Sequence, residues 1–183
     1  MKGAKERIRQ EMRAKRKAVT ALARVAASHE VCTRIQDRAE VCVAIANGNP
    51  IAVYLATSDE IDLAEFIGAA LAQGARVAAP RWTGTDYELA VVTGLDGLVA
   101  GPHGILEPPS EEATVPAREP AVWLVPGLAF TRDGRRVGYG GGWYDRLLAA
   151  ADPRSVKLGV GYDFQILDDL PVESHDVRLS AVV

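Results

Sequence analysis

Along the first 46 residues, apolar positions recur at helical spacing, with Ile8, Met12, Val31, Ile35, Ala39 and Cys42 on the pattern. Alanine is frequent there, and residues 4–46 are predicted to be helical. The turn residues "NGNP" (Asn47 to Pro50) close that region. The period then shortens. "IAVYL" (Ile51 to Leu55) reads as a strand, and "DLAEFIGAALAQG" as an amphipathic helix with Asp62 near its start and Gly74 as its stop. "RVAAP" and "YELAVVT" are further strands, the first closing a βαβ unit of the usual right-handed kind. From Gly94 to Pro120 the chain is polar and rich in Gly and Pro. It is predicted to be an irregular loop, long enough to suggest a binding role. Beyond it, "AVWLVP" is apolar throughout and suits a buried central strand, "WYDRLLAAAD" a helix, "VKLGVGYD" a strand and "VRLSAVV" the last strand.

Strands alternating with helices predict an α/β fold. It is expected to be one domain over residues 1–183, an open, mostly parallel sheet with helices on both faces (Rossmann-like, three layers), preceded by N-terminal helices. Ligands of such sheets collect beyond the carboxyl ends of the strands. Ser58, Asp59 and Glu60, the segment from Arg132 to Asp145, and Asp163 are therefore expected to converge.

The bulk properties narrow the classes. At 183 residues the chain suffices for one core and is short for two. With 48% hydrophobic and 25% charged residues it is neither disordered nor collagen-like. No apolar run approaches the roughly 20 residues that span a bilayer, and the opening "MKGAKERIRQ" lacks the hydrophobic segment of a secretory signal, so a cytoplasmic protein without membrane association is expected. Cys32 and Cys42 fall on different faces of the predicted helix and are expected to be core fillers. The net charge of -3 conceals an uneven distribution. Up to Arg24, nine basic residues (Lys2, Lys5, Arg7, Arg9, Arg13, Lys15, Arg16, Lys17 and Arg24) face only Glu6 and Glu11. A phosphate-bearing ligand, nucleic acid, a membrane surface or a plain solvated face would each account for that arm.

The candidate chemistry centres on "GYGGGWYD" (Gly138 to Asp145), where four of the first five residues are glycine. Glycines let backbone N–H groups approach an anion, and the helix beginning near Trp143 adds unpaired N–H groups and its positive end. Arg132, Arg135 and Arg136 are expected to supply charge. The helix end contributes only about 0.3–1 kcal/mol per charge, so the arginines and a metal ion would carry tight binding. The spelling matches neither G-x-G-x-x-G, because Trp143 takes the last glycine position, nor the Walker pattern. A glycine-rich hairpin turning at "RDG", with its aromatics in the core, is the competing reading. Asp145 is either a favourable charge near a helix start or a Mg²⁺ ligand.

The stretch "LVPGLAFTRDGRRVGYGGGWYDRLL" resembles the signature of 5-formyltetrahydrofolate cyclo-ligases, also called 5,10-methenyltetrahydrofolate synthetases. "KERIR", "YLATSDEIDLAEFI", "GILEP" and "PVESHD" follow the same family's order, so the likeness spans nearly the whole chain. The resemblance implies an enzyme that uses ATP and Mg²⁺ to convert 5-formyltetrahydrofolate to 5,10-methenyltetrahydrofolate, with release of ADP and phosphate, by phosphorylating the formyl oxygen. It implies ATP contacts at Lys5, Arg9, Arg136, Val137, Gly138, Tyr139, Gly140, Gly141, Gly142, Trp143 and Tyr144. Substrate contacts are implied at Leu55, Glu60, Arg9, Tyr139, Gly140, Gly141, Gly142 and Trp143, and Mg²⁺ carboxylates at Asp145 and Asp176, with His175 beside the latter. A monomer or weak dimer with no nucleic-acid partner is expected. Two positions depart from the pattern. Tyr139 stands where many relatives carry arginine, from which weaker ATP affinity is expected, and Ser180 stands where aspartate is common. These departures and the basic arm keep a second class in view, a non-catalytic relative that binds nucleotide, folate or RNA. A phosphosugar isomerase on a similar frame ranks last, since its base and electrophile are not apparent.

Overall fold

In the computed structural model, which describes residues 2–171, 173 and 176–183, the predicted helical region is three helices. These are α1 (Lys2–Ala18), α2 (Ala21–Gln36) and α3 (Ala39–Ala46). Thr20 makes the first break: its Oγ1 accepts the N–H of Ala23 at 3.2 Å and starts α2 afresh. Cys32 and Cys42 thus lie on separate helices, and Cys42 is exposed rather than a core filler.

The sheet is assembled from β1 (Ile51–Ala52), β2 (Val77–Trp82), β3 (Tyr87–Val92), β6 (Thr114–Val115), β7 (Val122–Pro126), β10 (Val156–Val160) and β11 (Ala181–Val182). Its order is β11-β10-β7-β1-β2-β3-β6. Neighbours from β11 to β2 are parallel, while β3 and β6 add an antiparallel edge. The loop predicted from Gly94 to Pro120 is less irregular than expected. It contributes β6 and a small hairpin of β4 (Val99–Ala100) with β5 (Leu106–Glu107).

Alternation along the strands sorts the core into two faces. Ile51, Val53, Val77, Val122, Leu124, Leu158 and Val160 cluster with residues of α2, α3 and α4 (Ala64–Ala72). Ala52, Ala78, Trp123 and Val125 point the other way and cluster with Leu147 and Leu148 of α5 (Trp143–Ala149). Both faces are therefore covered, as the apolar run of β7 requires. Helix α1 stands apart from the sheet. Its Met12 packs with Leu128, Ala129, Val137 and Leu170, against the antiparallel pair β8 (Ala129–Phe130) and β9 (Arg136–Val137).

From the adjacent pair β1 and β7 the chain winds outward in opposite directions, to β2 on one side and β10 on the other. That switch point opens a crevice at the strands' carboxyl ends. No helix among the described residues is long and apolar enough to cross a membrane.

Candidate functional site

Two cavities meet in that crevice. The larger, about 310 Å³, is mainly apolar: Tyr54, Leu55, Pro80, Tyr87, Ile105, Leu106, Pro126 and Leu147 line it, with Thr57, Glu60 and Glu107 as polar exceptions. The smaller, about 150 Å³, is bounded by Lys5, Arg9, Arg136, Val137, Gly138, Gly140, Gly142, Asp145, Glu173 and Asp176. Tyr139, Gly141, Trp143 and Tyr144 border both, so the glycine loop is the common wall.

The loop takes that shape because glycine permits it. Gly140 has φ +106° and Gly142, which caps the N-terminus of α5, has φ +68°, both in the region that L side chains avoid. A Cβ on Gly141 would come within 2.6 Å of Trp143 Cδ1. Trp143 has little room to yield. Its ring packs edge-on against Trp82 at 5.1 Å and Tyr87 at 5.7 Å, and the Arg146 guanidinium lies 4.2 Å from its centroid.

The other face of the loop is held by α1. Residues 5, 9, 13 and 16 share one side of a helix, and there they bring a row of cations inward. Lys5 Nζ pairs with Asp176 at 2.8 Å and Glu173 at 3.2 Å. Arg9 donates to the Gly138 carbonyl at 3.0 Å and Arg13 to that of Tyr139 at 3.3 Å. Arg16, with only 2% of its side chain exposed, donates to Asp59 Oδ1 at 2.6 Å and to the Tyr139 hydroxyl. The basic arm that left nucleic acid open is thus spent, on this face, on the chain's own loop and carboxylates. At the smaller cavity's far side, Arg136 pairs with Asp145 at 2.5 Å.

Two polar atoms at these walls are buried without a hydrogen-bond partner among the described residues, the Tyr144 hydroxyl and Arg136 Nε. Buried polar atoms of this kind are uncommon in folded proteins. Burial, reinforced by the negative charge of Glu60, pushes the Tyr144 phenol up, and both effects raise Tyr139 in the same way. Both phenols are therefore neutral donors at physiological pH.

Burial opposes the charge of Asp59, yet the hydrogen bond and charge of Arg16 hold its carboxyl below the ordinary 3.8. A depressed pKa contributes stability that is complete above the unfolded value and lost as pH falls through the folded one. Asp59→Asn is therefore expected to cost about 2 kcal/mol at pH 7. In urea titrations across pH, the difference from the parent should close only below pH 3.8. An unchanged difference at low pH would contradict the pairing.

The expected site residues are brought together with a few exceptions. Arg9, Gly140 and Gly142, expected on the substrate side as well, border only the smaller cavity. Arg132 is exposed, and Arg135 turns away to Asp133, Asp169 and the Leu170 carbonyl. Arg136 alone of the three charges the loop, because residues 127–137 form the β8–β9 hairpin that turns at Gly134 (φ +87°). The hairpin reading was thus right for "RDG", and the cradle begins after it. Ser58, Asp59 and Asp163 line neither cavity, Asp59 being paired with Arg16 instead. Ser180 sits at the sheet edge, where its Oγ accepts the Lys157 N–H at 3.0 Å. His175 lies outside the described residues.

Sequence reasoning missed Tyr54, Tyr87, Glu107 and Arg16. The "GILEP" stretch was the available signal for Glu107, whose Oε2 accepts the Trp82 N–H at 3.1 Å. Arg16 was visible only as one more cation in the basic arm.

Comparison with known proteins gives a consistent result. A sequence model of the 5-formyltetrahydrofolate cyclo-ligase family matches residues 1–183. The 5-formyltetrahydrofolate cyclo-ligase of Mycolicibacterium smegmatis is 34% identical over 145 residues, 75% of this chain and 74% of that protein. The Escherichia coli K12 protein of the same name is 29% identical, over 94% of this chain and 95% of its own length. Among solved structures, the Aquifex aeolicus 5,10-methenyltetrahydrofolate synthetase superposes with a TM-score of 0.84 at 28% identity, covering 97% of this chain and 88% of that one. A Mycoplasma pneumoniae synthetase at 21% identity, with a TM-score of 0.74 over 97% of this chain and 96% of its own, shares the fold.

Proposed function

Because the chain belongs to the 5-formyltetrahydrofolate cyclo-ligase family, we propose that it converts 5-formyltetrahydrofolate to 5,10-methenyltetrahydrofolate in the cytoplasm, consuming ATP. The observation that carries this reading is the shared wall. A glycine-lined pocket where Lys5, Arg9 and Arg136 meet Asp145, Glu173 and Asp176, suited to a metal-bound triphosphate, adjoins an apolar, aromatic cavity suited to a pterin.

In this reading the triphosphate lies along Gly138–Gly142, against Lys5, Arg9 and Arg136, with its γ-phosphorus toward the wall. The pterin occupies the larger cavity, with Glu60 accepting from its amino edge and Leu55 and Trp143 against its faces. The formyl oxygen attacks the γ-phosphorus and ADP leaves. The neighbouring folate nitrogen, outside the pterin ring, then attacks the formyl carbon and gives up its proton to water, and the C–O bond breaks with phosphate as leaving group. Phosphate is a far better leaving group than an amide oxygen, so the protein's task is alignment and charge neutralisation. The Tyr144 hydroxyl and Arg136 Nε, buried without partners, are positioned to donate to ligand oxygens at that wall.

Mg²⁺ fits the donors present. Asp145 and Asp176 are hard oxygen ligands lining the phosphate pocket, and an ion that keeps several waters needs one or two carboxylates beside phosphate oxygens. No group of three or more metal-ligating side chains occurs among the described residues, so the ion would be held jointly with the nucleotide. Bound there, it would neutralise charge on the transferred phosphoryl group.

The test is the absorbance of methenyl-folate on mixing protein, Mg²⁺, ATP and 5-formyltetrahydrofolate. A rise that depends on ATP supports the reading, and no rise with folded protein ends it. Lys5→Ala, which removes one phosphate-side cation, should raise the KM for ATP about tenfold while leaving the folate KM within about twofold. A change confined to the folate KM would remove Lys5 from the nucleotide side.

A further inference from the structure

The buried cation on α1 has a place in the site that the reaction itself does not explain. Arg16 Nη2 and Nε are satisfied by Asp59, through Oδ1 at 2.6 Å and the backbone carbonyl at 3.1 Å. Its Nη1 donates to the Tyr139 hydroxyl. A guanidinium has only donors, so the Tyr139 oxygen must accept, and its own proton is directed onward. It goes to Glu60 Oε1. The other oxygen, Oε2, accepts the Thr57 N–H at 2.8 Å and the Thr57 hydroxyl at 2.9 Å. Every hydrogen in the chain Arg16, Tyr139, Glu60 therefore has one allowed direction, ending on the carboxylate that faces the larger cavity.

Charge follows the same path. Arg16 and Asp59 neutralise each other, and the Arg16 guanidinium stays 3.9 Å from Glu60, beyond direct hydrogen bonding. Glu60 is 7% exposed and is the one carboxyl of the cluster that Arg16 does not pair directly. Such a carboxylate stays in place only if it is held by donors.

We propose that Arg16, acting through Tyr139, is a positioning residue that aims the Glu60 carboxylate into the larger cavity and thereby sets affinity for the donor-rich edge of the substrate. The proposal rests on the reading of that cavity as the folate side. Arg16 lines neither cavity, and its hydrogen-bonded link to Glu60 Oε1 runs through Tyr139, beside the 3.9 Å approach of the two charges and a route to Oε2 by way of Asp59 and Thr57.

Steady-state kinetics of Arg16→Leu, Tyr139→Phe and their double variant test it, alongside folate affinity measured without ATP by tryptophan fluorescence. Either single change should raise the folate KM and the folate dissociation constant about tenfold, with the ATP KM within about twofold. The double variant should be no worse than the poorer single, because both cut the same chain. Tyr139→Arg gives a sign reversal: introduced beside Arg16 it places two cations together and should impair folate binding, whereas in the Arg16→Leu background it returns a guanidinium to Glu60 and should restore it. Where Arg16→Leu fails to fold, Tyr139→Phe, which keeps the Arg16–Asp59 pair, decides alone. Unchanged folate affinity in a folded variant, equal rises in both KM values, additive losses, or no reversal would overturn the proposal. Unaltered protein that neither binds nor turns over the folate would instead overturn the functional reading beneath it.

Discussion

Asp145→Asn is expected to lower turnover by about a hundredfold while leaving a folded protein. Asp145 lies in the first turn of α5, at the edge of the phosphate pocket, where its carboxylate meets the Arg136 guanidinium at 2.5 Å. Arg136 has 4% of its side chain exposed, so deleting its partner outright would strand a buried charge, which costs about 3–5 kcal/mol. Alanine would therefore mix a folding defect with a catalytic one. Asparagine keeps an acceptor for Arg136 and removes only the negative charge needed near a phosphate-bound cation. The expected pattern is a large fall in kcat, a melting temperature within a few degrees of the parent, and partial recovery at high Mg²⁺. Full activity in Asp145→Asn would take this residue out of the metal site.

Gly141→Ala is the second change with a large expected effect, and it acts through shape alone. The added methyl would sit within 2.6 Å of Trp143 Cδ1. Either the indole leaves its packing with Trp82 and Tyr87 or the loop backbone moves. Gly141 and Trp143 border both cavities, so either adjustment disturbs both ligands. We expect kcat/KM to fall about a hundredfold for each substrate, since a misplacement near 1 Å is enough to cost that much. A loss confined to one substrate would mean that Gly141 does not separate the two.

The contrast between these variants marks what the sequence could convey. Asp145 was readable because a carboxylate just inside a helix that follows a glycine run has few roles, and the strand pattern placed that helix at the sheet's carboxyl edge. The role of Gly141 was readable only in part: the glycine run announced a backbone approach, but the wedge of Trp82, Tyr87 and Trp143 behind it is a contact between β2, β3 and α5 that no local spacing encodes.

The same limit explains the remaining differences. The break at Thr20 was legible as a helix cap but was hidden under an alanine-rich pattern that continues across it. Strand β6 is only two β-branched residues, Thr114 and Val115, inside a Pro-rich stretch, too short to stand out by its period, and it pairs with the open edge of β3. Arg135 and Arg136 are adjacent and chemically identical. Only the β8–β9 register decides that one reaches the phosphate pocket and the other a surface pair with Asp169. Arg16 and Glu60, far apart in the chain, meet through Tyr139 because α1 docks on the glycine loop, which is a tertiary fact.

The central claim is that a phosphoryl group crosses from one cavity to the formyl oxygen in the other. Substrate labelled with oxygen-18 at the formyl oxygen tests it directly. Mass spectrometry of the phosphate released in a complete turnover should find one labelled oxygen per phosphate, carried there when the C–O bond breaks. Unlabelled phosphate, with the label in water or retained by the folate, would contradict the account.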